Sequence, residues 1–205
     1  MNFLKKFRNG AWGKNKKGEF YPKTKPYKIS SIVRRKHLIT TPIRRYYVPL
    51  NILEISNKYI CEHRRRKEEC FIFWGGYLVD NCDAQIITVY YPKAIVSYGR
   101  IHLNTRDITL LNLALRKNDQ LLLVELHSHP PGADGQNKFD AKNALCYHPG
   151  FITIVVPDFG YPYFYDLRKC YVYEYVKAGK WYELKSKEIE DKFIVEDTVI
   201  EVDNK

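Results

Sequence analysis

The feature that most constrains the fold is a short apolar run, LLLV at residues 121–124, together with the polar stretch ELHSHPPGADGQNKFDAKNA that follows it. The apolar run has the length of a strand and predicts one that is buried. His127 and His129 are two residues apart, so both imidazoles project from one face if the extended backbone continues between them. Farther along, Asn137 can act as the N-cap of a helix in which Asp140 is the third residue. The sequence therefore predicts a strand end and a helix start that share one polar site.

Two imidazoles and one carboxylate form a ligand set that suits Zn²⁺. Because zinc prefers four ligands, three protein ligands leave one position for water, and such an open position is typical of catalytic zinc. An alternative needs no metal: Asn137 caps a helix, and the two histidines form hydrogen bonds within a polar loop. The spacing of these residues alone leaves both interpretations open.

The composition indicates a folded protein of one domain, or of one domain with an extension. Of the 205 residues, 45% are apolar and 15% are aromatic, which is too much hydrophobic material for a disordered chain. The longest apolar runs have the length of strands and fall short of the roughly 20 residues of a membrane span. The N-terminus lacks the apolar core of a secretory signal, and the five cysteines show no CxxC spacing. We therefore expect a cytoplasmic protein with no membrane contact.

The net charge of +11 is concentrated in one segment. Residues 1–45 contain fourteen Lys and Arg residues and one acidic residue, Glu19, so the rest of the chain is close to neutral. We interpret residues 1–40 as a basic, largely irregular N-terminal arm, residues 41–180 as the main domain, and residues 181–205 as a C-terminal extension with room for one added strand. The arm is either a solvated tail or a docking segment for an acidic partner or nucleic acid.

The order of the predicted elements is that of a mixed α/β (α+β) domain with helices between mostly hairpin-linked strands. Strands are predicted at IRRYYVP, CFIFWGGYLV, AQIITVYYP, AIVSYGRIHL, QLLLVELHS, FITIVVP, YFYDL, CYVYEYV and FIVEDTVIEV. Helices are predicted at LNILEISNKYICEHRRRKE, RDITLLNLALRKN and NKFDAKNALCY, and turns at DFGYP and KAGK. His63, in the first helix, is expected to be a solvated residue.

Two motifs resemble the signature of the JAMM/MPN+ zinc metalloproteases, whose domain is called MPN or JAB. HSHP followed by NxxD, at residues 127–140, is similar to the HxHP and SxxD pattern of that family. EECFIFWGGYL, which begins at Glu68, is similar to the family's ExCG segment, and Cys70 and Gly75 lie at the expected positions. The resemblance covers about residues 46–175. It implies the cytidine-deaminase-like MPN/JAB fold, a mixed curved β-sheet flanked by helices.

The resemblance also implies the roles of four residues. His127, His129 and Asp140 correspond to the ligands of a catalytic Zn²⁺, and Glu68 corresponds to the general acid/base. The chemistry agrees with that assignment, because a carboxylate near the metal can take a proton from water and pass it to the departing amine.

Two other glutamates are alternatives for the acid/base role. Glu69 is adjacent to Glu68 but points to the opposite face of a strand. Glu125 lies two residues before His127 on the same face, where it is better suited to orient a ligand histidine. The motif favours Glu68 among the three.

The sequence departs from the family pattern at Asn137 and Phe71. Asn137 occupies the position of a serine that, in the family, hydrogen-bonds the developing oxyanion. An asparagine amide can still donate that hydrogen bond while its carbonyl oxygen caps the helix. Phe71 stands where the family often has glycine, and we interpret it as a change in packing.

The resemblance implies hydrolysis of a peptide or isopeptide bond. Expected reactions are the removal of a ubiquitin-like modifier from its conjugates and the trimming of its C-terminal tail. Expected partners are the ubiquitin-like protein or its conjugate and an E1/E2-like conjugation system, including systems of antiphage defence. The alternative is a catalytically weak or inactive MPN scaffold that binds partners through its basic arm. Nucleic-acid binding through residues 1–40 is a third interpretation; it predicts a steep salt dependence and is not favoured.

Overall fold

The computed structural model describes residues 12–14, 20–22, 39–79, 82–92, 95–97, 100–162 and 164–197. The chain divides into two units. One comprises residues 1–31 and 198–205, and in it strands β1 (Trp12–Lys14) and β2 (Phe20–Pro22) pair antiparallel. Apart from these strands and residues 39 and 40, the predicted basic arm lies outside the described residues. The other unit, residues 32–197, carries both sequence motifs.

The larger unit is a mixed arrangement of strands and helices. In chain order it contains β3 (Arg45–Pro49), α1 (Leu50–Arg66), β4 (Phe71–Leu78), β5 (Asp83–Tyr90), β6 (Ile95–Ser97), β7 (Arg100–His102), α2 (Thr105–Lys117), β8 (Leu121–Ser128), α3 (Lys138–Asn143), β9 (Ile152–Val156), β10 (Tyr171–Lys177), β11 (Lys180–Glu183), α4 (Ser186–Lys192) and β12 (Phe193–Glu196). Short 3₁₀ turns lie at Pro157–Gly160 and Leu167–Lys169. In the described part of the chain, no helix combines the length and the apolar character that a membrane span requires.

Eight strands form one curled sheet in the order β11, β10, β9, β8, β4, β5, β3, β12. The pairs β8/β9, β5/β3 and β3/β12 are parallel, and the other four pairs are antiparallel. Strands β6 and β7 form a separate antiparallel pair. The predicted class, a mixed α/β fold with a mixed curved sheet and flanking helices, is confirmed at this level. Strand β8, which carries the HSHP motif, lies in the middle of the sheet between β4 and β9.

Apolar side chains pack on both faces of the sheet. On one face, Ile60 of α1 joins Trp74 of β4 in the larger core cluster. On the other face, Leu111 and Leu115 of α2 pack with Phe73 of β4. Because adjacent residues of a strand point to opposite faces, Phe73 and Trp74 place α2 and α1 on opposite sides of the sheet.

One predicted strand, YFYDL, is wrong: its described residues, 164–167, form no strand. The Phe164 N–H donates to Oδ1 of Asn57 at 3.1 Å, and Nδ2 of Asn57 donates to the Tyr165 hydroxyl at 3.0 Å. Asn57 belongs to α1. Because this backbone is bonded to a helix side chain, the segment packs on α1 instead of pairing with a strand.

The sequence did not predict β11 and α4. The KAGK turn is confirmed, since Ala178 and Gly179 have φ values of 50° and 75° and connect β10 to β11. Strand β11 lies at the edge of the sheet with mostly exposed side chains, so it lacks the apolar alternation that signals a strand. Helix α4 buries only Ile189 and therefore lacks an apolar stripe.

Residues 181–197, interpreted from the sequence as an extension, contribute to the main sheet and its core. Strand β12 pairs parallel with β3, and the Phe193 ring stacks on Tyr46 with 5.3 Å between ring centroids. Leu184 and Ile189 belong to the same core cluster. Residues 198–205, the rest of the predicted extension, lie outside the described residues.

Candidate metal centre

The carboxyl end of β8 carries the two histidines into the protein interior. Residues 123–128 are buried without interruption because β8 is central in the sheet. His127 is the penultimate residue of the strand and is 2% exposed; His129 follows the strand and is 5% exposed. Imidazoles buried to this extent require hydrogen-bond partners or a metal ion.

The backbone of His129 is held by β9 and the turn that follows it. The His129 N–H donates to the Val156 carbonyl at 2.9 Å, and the His129 carbonyl accepts the Phe159 N–H at 2.8 Å. These bonds tie down the backbone just beyond the end of β8. The ring centroids of His127 and His129 lie 4.9 Å apart. The prediction that the two imidazoles lie together is confirmed.

Asp140 reaches the histidines from the first turn of α3. Oδ1 of Asn137 accepts the N–H groups of Phe139 at 2.7 Å and of Asp140 at 3.0 Å. In return, Oδ2 of Asp140 accepts the Asn137 N–H at 2.9 Å, which completes a capping box. The predicted N-cap and the predicted third helical position are both confirmed.

The same Asp140 oxygen faces both imidazoles. Oδ2 lies 3.5 Å from Nε2 of His129 and 3.8 Å from Nε2 of His127. One ligand atom from each of the three residues lies within 4.8 Å of the others. Two atoms that bind one zinc tetrahedrally at about 2.0–2.1 Å are roughly 3.3–3.5 Å apart, and the two distances from Asp140 lie close to that spacing. The structure thus brings the three predicted ligands together.

The ring nitrogens of the histidines lack other partners. Both nitrogens of His127 and Nδ1 of His129 are buried with no hydrogen-bond partner among the described residues. The His127 ring instead stacks on Phe71 of β4, with 5.5 Å between centroids. Buried polar atoms are normally paired, so the unpartnered Nε2 of His127, 3.8 Å from Oδ2 of Asp140, fits a metal ion held by three residues. Phe71, interpreted as a packing change, packs directly on a candidate ligand.

The electrostatic surroundings favour the protonation states that bind a metal. Burial lowers the pKa of His127, although Asp140 opposes this, so the neutral imidazole is favoured. Burial alone raises the pKa of Asp140, but the two imidazoles and the Asn137 N–H outweigh it and hold that pKa below its usual range. Neutral imidazoles and an ionised carboxylate are the forms that coordinate zinc.

The register of β4 against β8 decides which glutamate faces these ligands. Phe71 lies directly opposite His127, and opposite residues of paired strands project to the same face. The pairing continues to Cys70, whose N–H donates to Oγ of Ser128 at 2.8 Å and whose carbonyl accepts the Ser128 N–H at 3.0 Å. Glu69, two residues before Phe71, is therefore on the face of the histidines.

Glu68, which the motif favoured, lies in a different network. Its carboxylate accepts a hydrogen bond from Nε of Arg66 at 2.7 Å and lies 3.4 Å from Nδ1 of His63. Its N–H donates to the His63 carbonyl at the end of α1. The expectation that His63 is solvated is wrong, because His63 is 4% exposed and its Nε2 contacts the Tyr91 hydroxyl. By the alternation of the strand, Glu68 lies on the face opposite the three candidate ligands, and the structure does not bring its carboxylate to them.

Glu69 is the glutamate that lies on the same face as the three candidate ligands. It is 7% exposed, and the register that pairs Phe71 with His127 places it across from His129. Burial raises the pKa of Glu69 to about 7, while His129 lowers it and Asp140 raises it. A carboxyl group with a pKa near neutrality can both accept and donate a proton. The sequence placed Glu68 and Glu69 on opposite faces but contained no signal of the strand register, which decides between them.

Glu125 forms a different bond from the one predicted. It is 2% exposed, and its Oε2 accepts the Leu145 N–H at 3.2 Å. Burial raises the pKa of Glu125 to about 8. Since both nitrogens of His127 and Nδ1 of His129 lack a hydrogen-bond partner among the described residues, Glu125 forms no orienting bond to these atoms. The bond to Leu145 also explains why α3 ends at Asn143, earlier than predicted.

Comparison with known proteins supports the architecture alone. No protein-family model matches the chain, and no curated protein matches it. The solution structure of a protein from Desulfitobacterium hafniense matches with a TM-score of 0.54 and 16% identity, covering 74% of this chain and 93% of that chain. The solution structure of a protein from Salinibacter ruber gives a TM-score of 0.42 and 15% identity, covering 71% and 90%. The names of these proteins state no activity.

Proposed function

We propose that the protein is a zinc-dependent peptidase or isopeptidase of the JAMM type with the MPN/JAB fold. The observation that carries the proposal is the cluster of His127, His129 and Asp140, whose ligand atoms lie within 4.8 Å of one another. The buried Nε2 of His127, which has no hydrogen-bond partner among the described residues, supports it, because two imidazoles and a carboxylate suit Zn²⁺. The resemblance of the HSHP and NxxD motifs to those of JAMM proteases supports the same proposal from the sequence.

Glu69 is the residue to which we assign the general acid/base role. When bound, zinc supplies Lewis-acid chemistry, lowering the pKa of water and polarising a carbonyl group. A carboxylate oxygen of Glu69 accepts a proton from the attacking water and returns it to the departing amine nitrogen. The burial of Glu69 near His129 and Asp140 supports this role. The carboxylate of Glu68 is instead held by Arg66.

Asn137 is proposed to stabilise the oxyanion that develops on the substrate carbonyl. Its Oδ1 already accepts two N–H groups at the start of α3, so Nδ2 is the end of the side chain suited to donate. The residue is exposed, which gives a substrate access to that amide. A donor of this kind typically contributes ~10²–10³ in rate.

The proposed substrate class rests on the sequence resemblance. We propose a ubiquitin-like protein or its conjugate as the substrate, cleaved at an isopeptide bond or in the C-terminal tail, in the cytoplasm. An E1/E2-like conjugation system, as in antiphage defence, is the proposed setting. The competing function is a metal-free scaffold that binds partners through the basic arm. Measurements of metal content and of peptidase activity distinguish the proposed enzyme from this scaffold.

The test measures metal and catalysis on the same samples. Elemental analysis for first-row metals and cleavage of a ubiquitin-like fusion are carried out on wild type, His129→Ala, Glu69→Gln and Glu68→Gln. We expect about one zinc per chain in every protein except His129→Ala, since only that change removes a ligand. Activity is expected in wild type and Glu68→Gln, and none in Glu69→Gln.

Glu68→Gln is the matched control, because it makes the same chemical change one residue away on the opposite face. Activity lost in Glu68→Gln and kept in Glu69→Gln would return the acid/base role to Glu68. Wild type that holds no zinc even after reconstitution would overturn the metalloprotease and favour the scaffold.

A further inference from the structure

Helix α3 carries Asp140, but few contacts of its own side chains fix the position of the helix. It has six residues, Lys138–Asn143, and none of them is buried. A helix this short is marginal by itself. Its capping box holds the first turn together internally, between Asn137 and Asp140. The position of Asp140 relative to the histidines therefore depends on contacts made outside the helix.

Glu125 supplies such a contact from the strand that carries the histidines. Its Oε2 accepts the N–H of Leu145, two residues after the end of α3. The bond joins residues 20 positions apart and closes a loop, residues 125–145, that contains all three candidate ligands. The β8 end of the loop is fixed within the central sheet. The bond thus connects the segment that follows α3 to the central strand that carries the histidines.

The surroundings of Glu125 are apolar or buried, so placing a carboxyl group there costs folding free energy. Phe73 of β4 and Thr153 of β9 lie opposite it in register, and both are fully buried. A polar group in such a position is unfavourable unless it is hydrogen-bonded. An apolar side chain would fill the same space without that cost, so the bond to Leu145 is what the glutamate adds.

We infer that Glu125 is a positioning residue that holds α3, and with it Asp140, where the three candidate ligands converge. The inference rests on the proposed metal site and deepens it. Glu125 acts through Leu145 and the short segment that leads back to Asp140. The same role explains why Glu125 lies beside His127 without bonding to it.

The test compares Glu125→Gln, Glu125→Leu and the control Thr153→Val in the full-length chain. Gln keeps an acceptor oxygen at the same distance from the backbone, while Leu fills the space without an acceptor. Thr153→Val removes a buried hydroxyl that has no hydrogen-bond partner in the described structure, next to Glu125 in the register. Zinc affinity is measured by competition with a chelator, ligand geometry by the visible spectrum of the Co²⁺ protein, and the Leu145 anchor by amide hydrogen exchange.

Glu125→Leu is expected to bind zinc about 10–100-fold more weakly, to alter the Co²⁺ spectrum, and to lose protection at the Leu145 amide. Glu125→Gln and Thr153→Val should match wild type in all three measurements. Circular dichroism of the metal-free proteins confirms that each variant is folded. Equal zinc affinity in Glu125→Leu and Thr153→Val would overturn this inference alone. Absence of zinc from wild type would overturn the proposed function. In that case, unchanged protection of the Leu145 amide from hydrogen exchange in Glu125→Leu would also refute the bond between Glu125 and Leu145 as an anchor.

Discussion

Ser128 lies between the two histidines, and its side chain points away from them, as the alternation of a strand requires. Its Oγ accepts the Cys70 N–H at 2.8 Å, and its own N–H donates to the Cys70 carbonyl at 3.0 Å. Cys70 directly follows Glu69 in the chain. These two bonds therefore determine where the backbone of Glu69 lies relative to the histidines. Ser128 thus controls the position of the proposed acid/base, although its side chain does not contact the candidate ligands.

Ser128→Ala is expected to lower both stability and turnover. The change leaves the buried Cys70 N–H without its acceptor, which costs ~1–3 kcal/mol in the free energy of unfolding. Ser56→Ala is the control, because Oγ of Ser56 accepts Nε1–H of Trp74 at 2.9 Å in the core and is also fully buried. Denaturant unfolding should show similar losses in both variants, whereas kcat should fall only in Ser128→Ala. Equal kcat in the two variants would contradict the positioning of Glu69 by Ser128.

The turn Pro157–Gly160 is the element that supports His129. Asp158 and Phe159 have φ values of 52° and 51°, and Gly160 follows with φ 75°. A left-handed conformation costs a residue with a side chain roughly 1–2 kcal/mol, and such strain tends to occur at functional sites. Here the strained turn aims the Phe159 N–H at the His129 carbonyl. The turn predicted at DFGYP is thus confirmed, and the structure shows its connection to the site.

Gly160→Ala tests this turn against Gly179→Ala. Both glycines have φ 75°, but a methyl group at position 160 would lie 2.4 Å from Cγ2 of Ile60, whereas position 179 has no atom within 4 Å. Gly179→Ala should lose ~1–2 kcal/mol from backbone strain. Gly160→Ala should lose a further ~1–3 kcal/mol from the clash with α1. Thermal unfolding measures the difference, and identical melting temperatures for the two variants would refute the close contact with Ile60.

At the scale of the whole molecule, the site depends on a sheet assembled from distant parts of the chain. Strands β4, β8 and β9, which surround the cluster, come from residues 71–78, 121–128 and 152–156. The far edge of the same sheet is closed by β12 from the C-terminal segment. Leu184, Ile189 and Phe193 of that segment are each about 3–6% exposed in the core. The sheet therefore depends on residues beyond position 180.

A chain that ends at residue 180 is expected to lose cooperative folding. It lacks three core side chains, each typically worth ~2–5 kcal/mol, against a total stability of ~5–15 kcal/mol for a domain. A chain that ends at Asp197 retains every described residue of the sheet and should unfold cooperatively near the wild-type temperature. Calorimetry of the two truncated proteins makes the comparison. A cooperative transition in the shorter chain would show that the segment after residue 180 is dispensable.

The sequence alone determined those features that depend on neighbours along the chain. The buried strand β8, the two-residue spacing of His127 and His129, and the N-cap at Asn137 were predicted because strand alternation and helix capping are local. The position of Asp140 in the first turn of α3 followed from the same cap. These local rules were sufficient to predict that the three candidate ligands, His127, His129 and Asp140, lie together, as they do in the structure.

Only the tertiary structure decided which side chains complete the site. Whether Glu68 or Glu69 faces the histidines depends on the pairing of β4 with β8, and a shift of one residue exchanges the faces of a strand. The bond from Glu125 to Leu145 and the positions of β11, β12 and α4 also depend on contacts between distant segments. Local patterns carry no information about such pairings, because the residues that make them are separated by tens of positions in the chain.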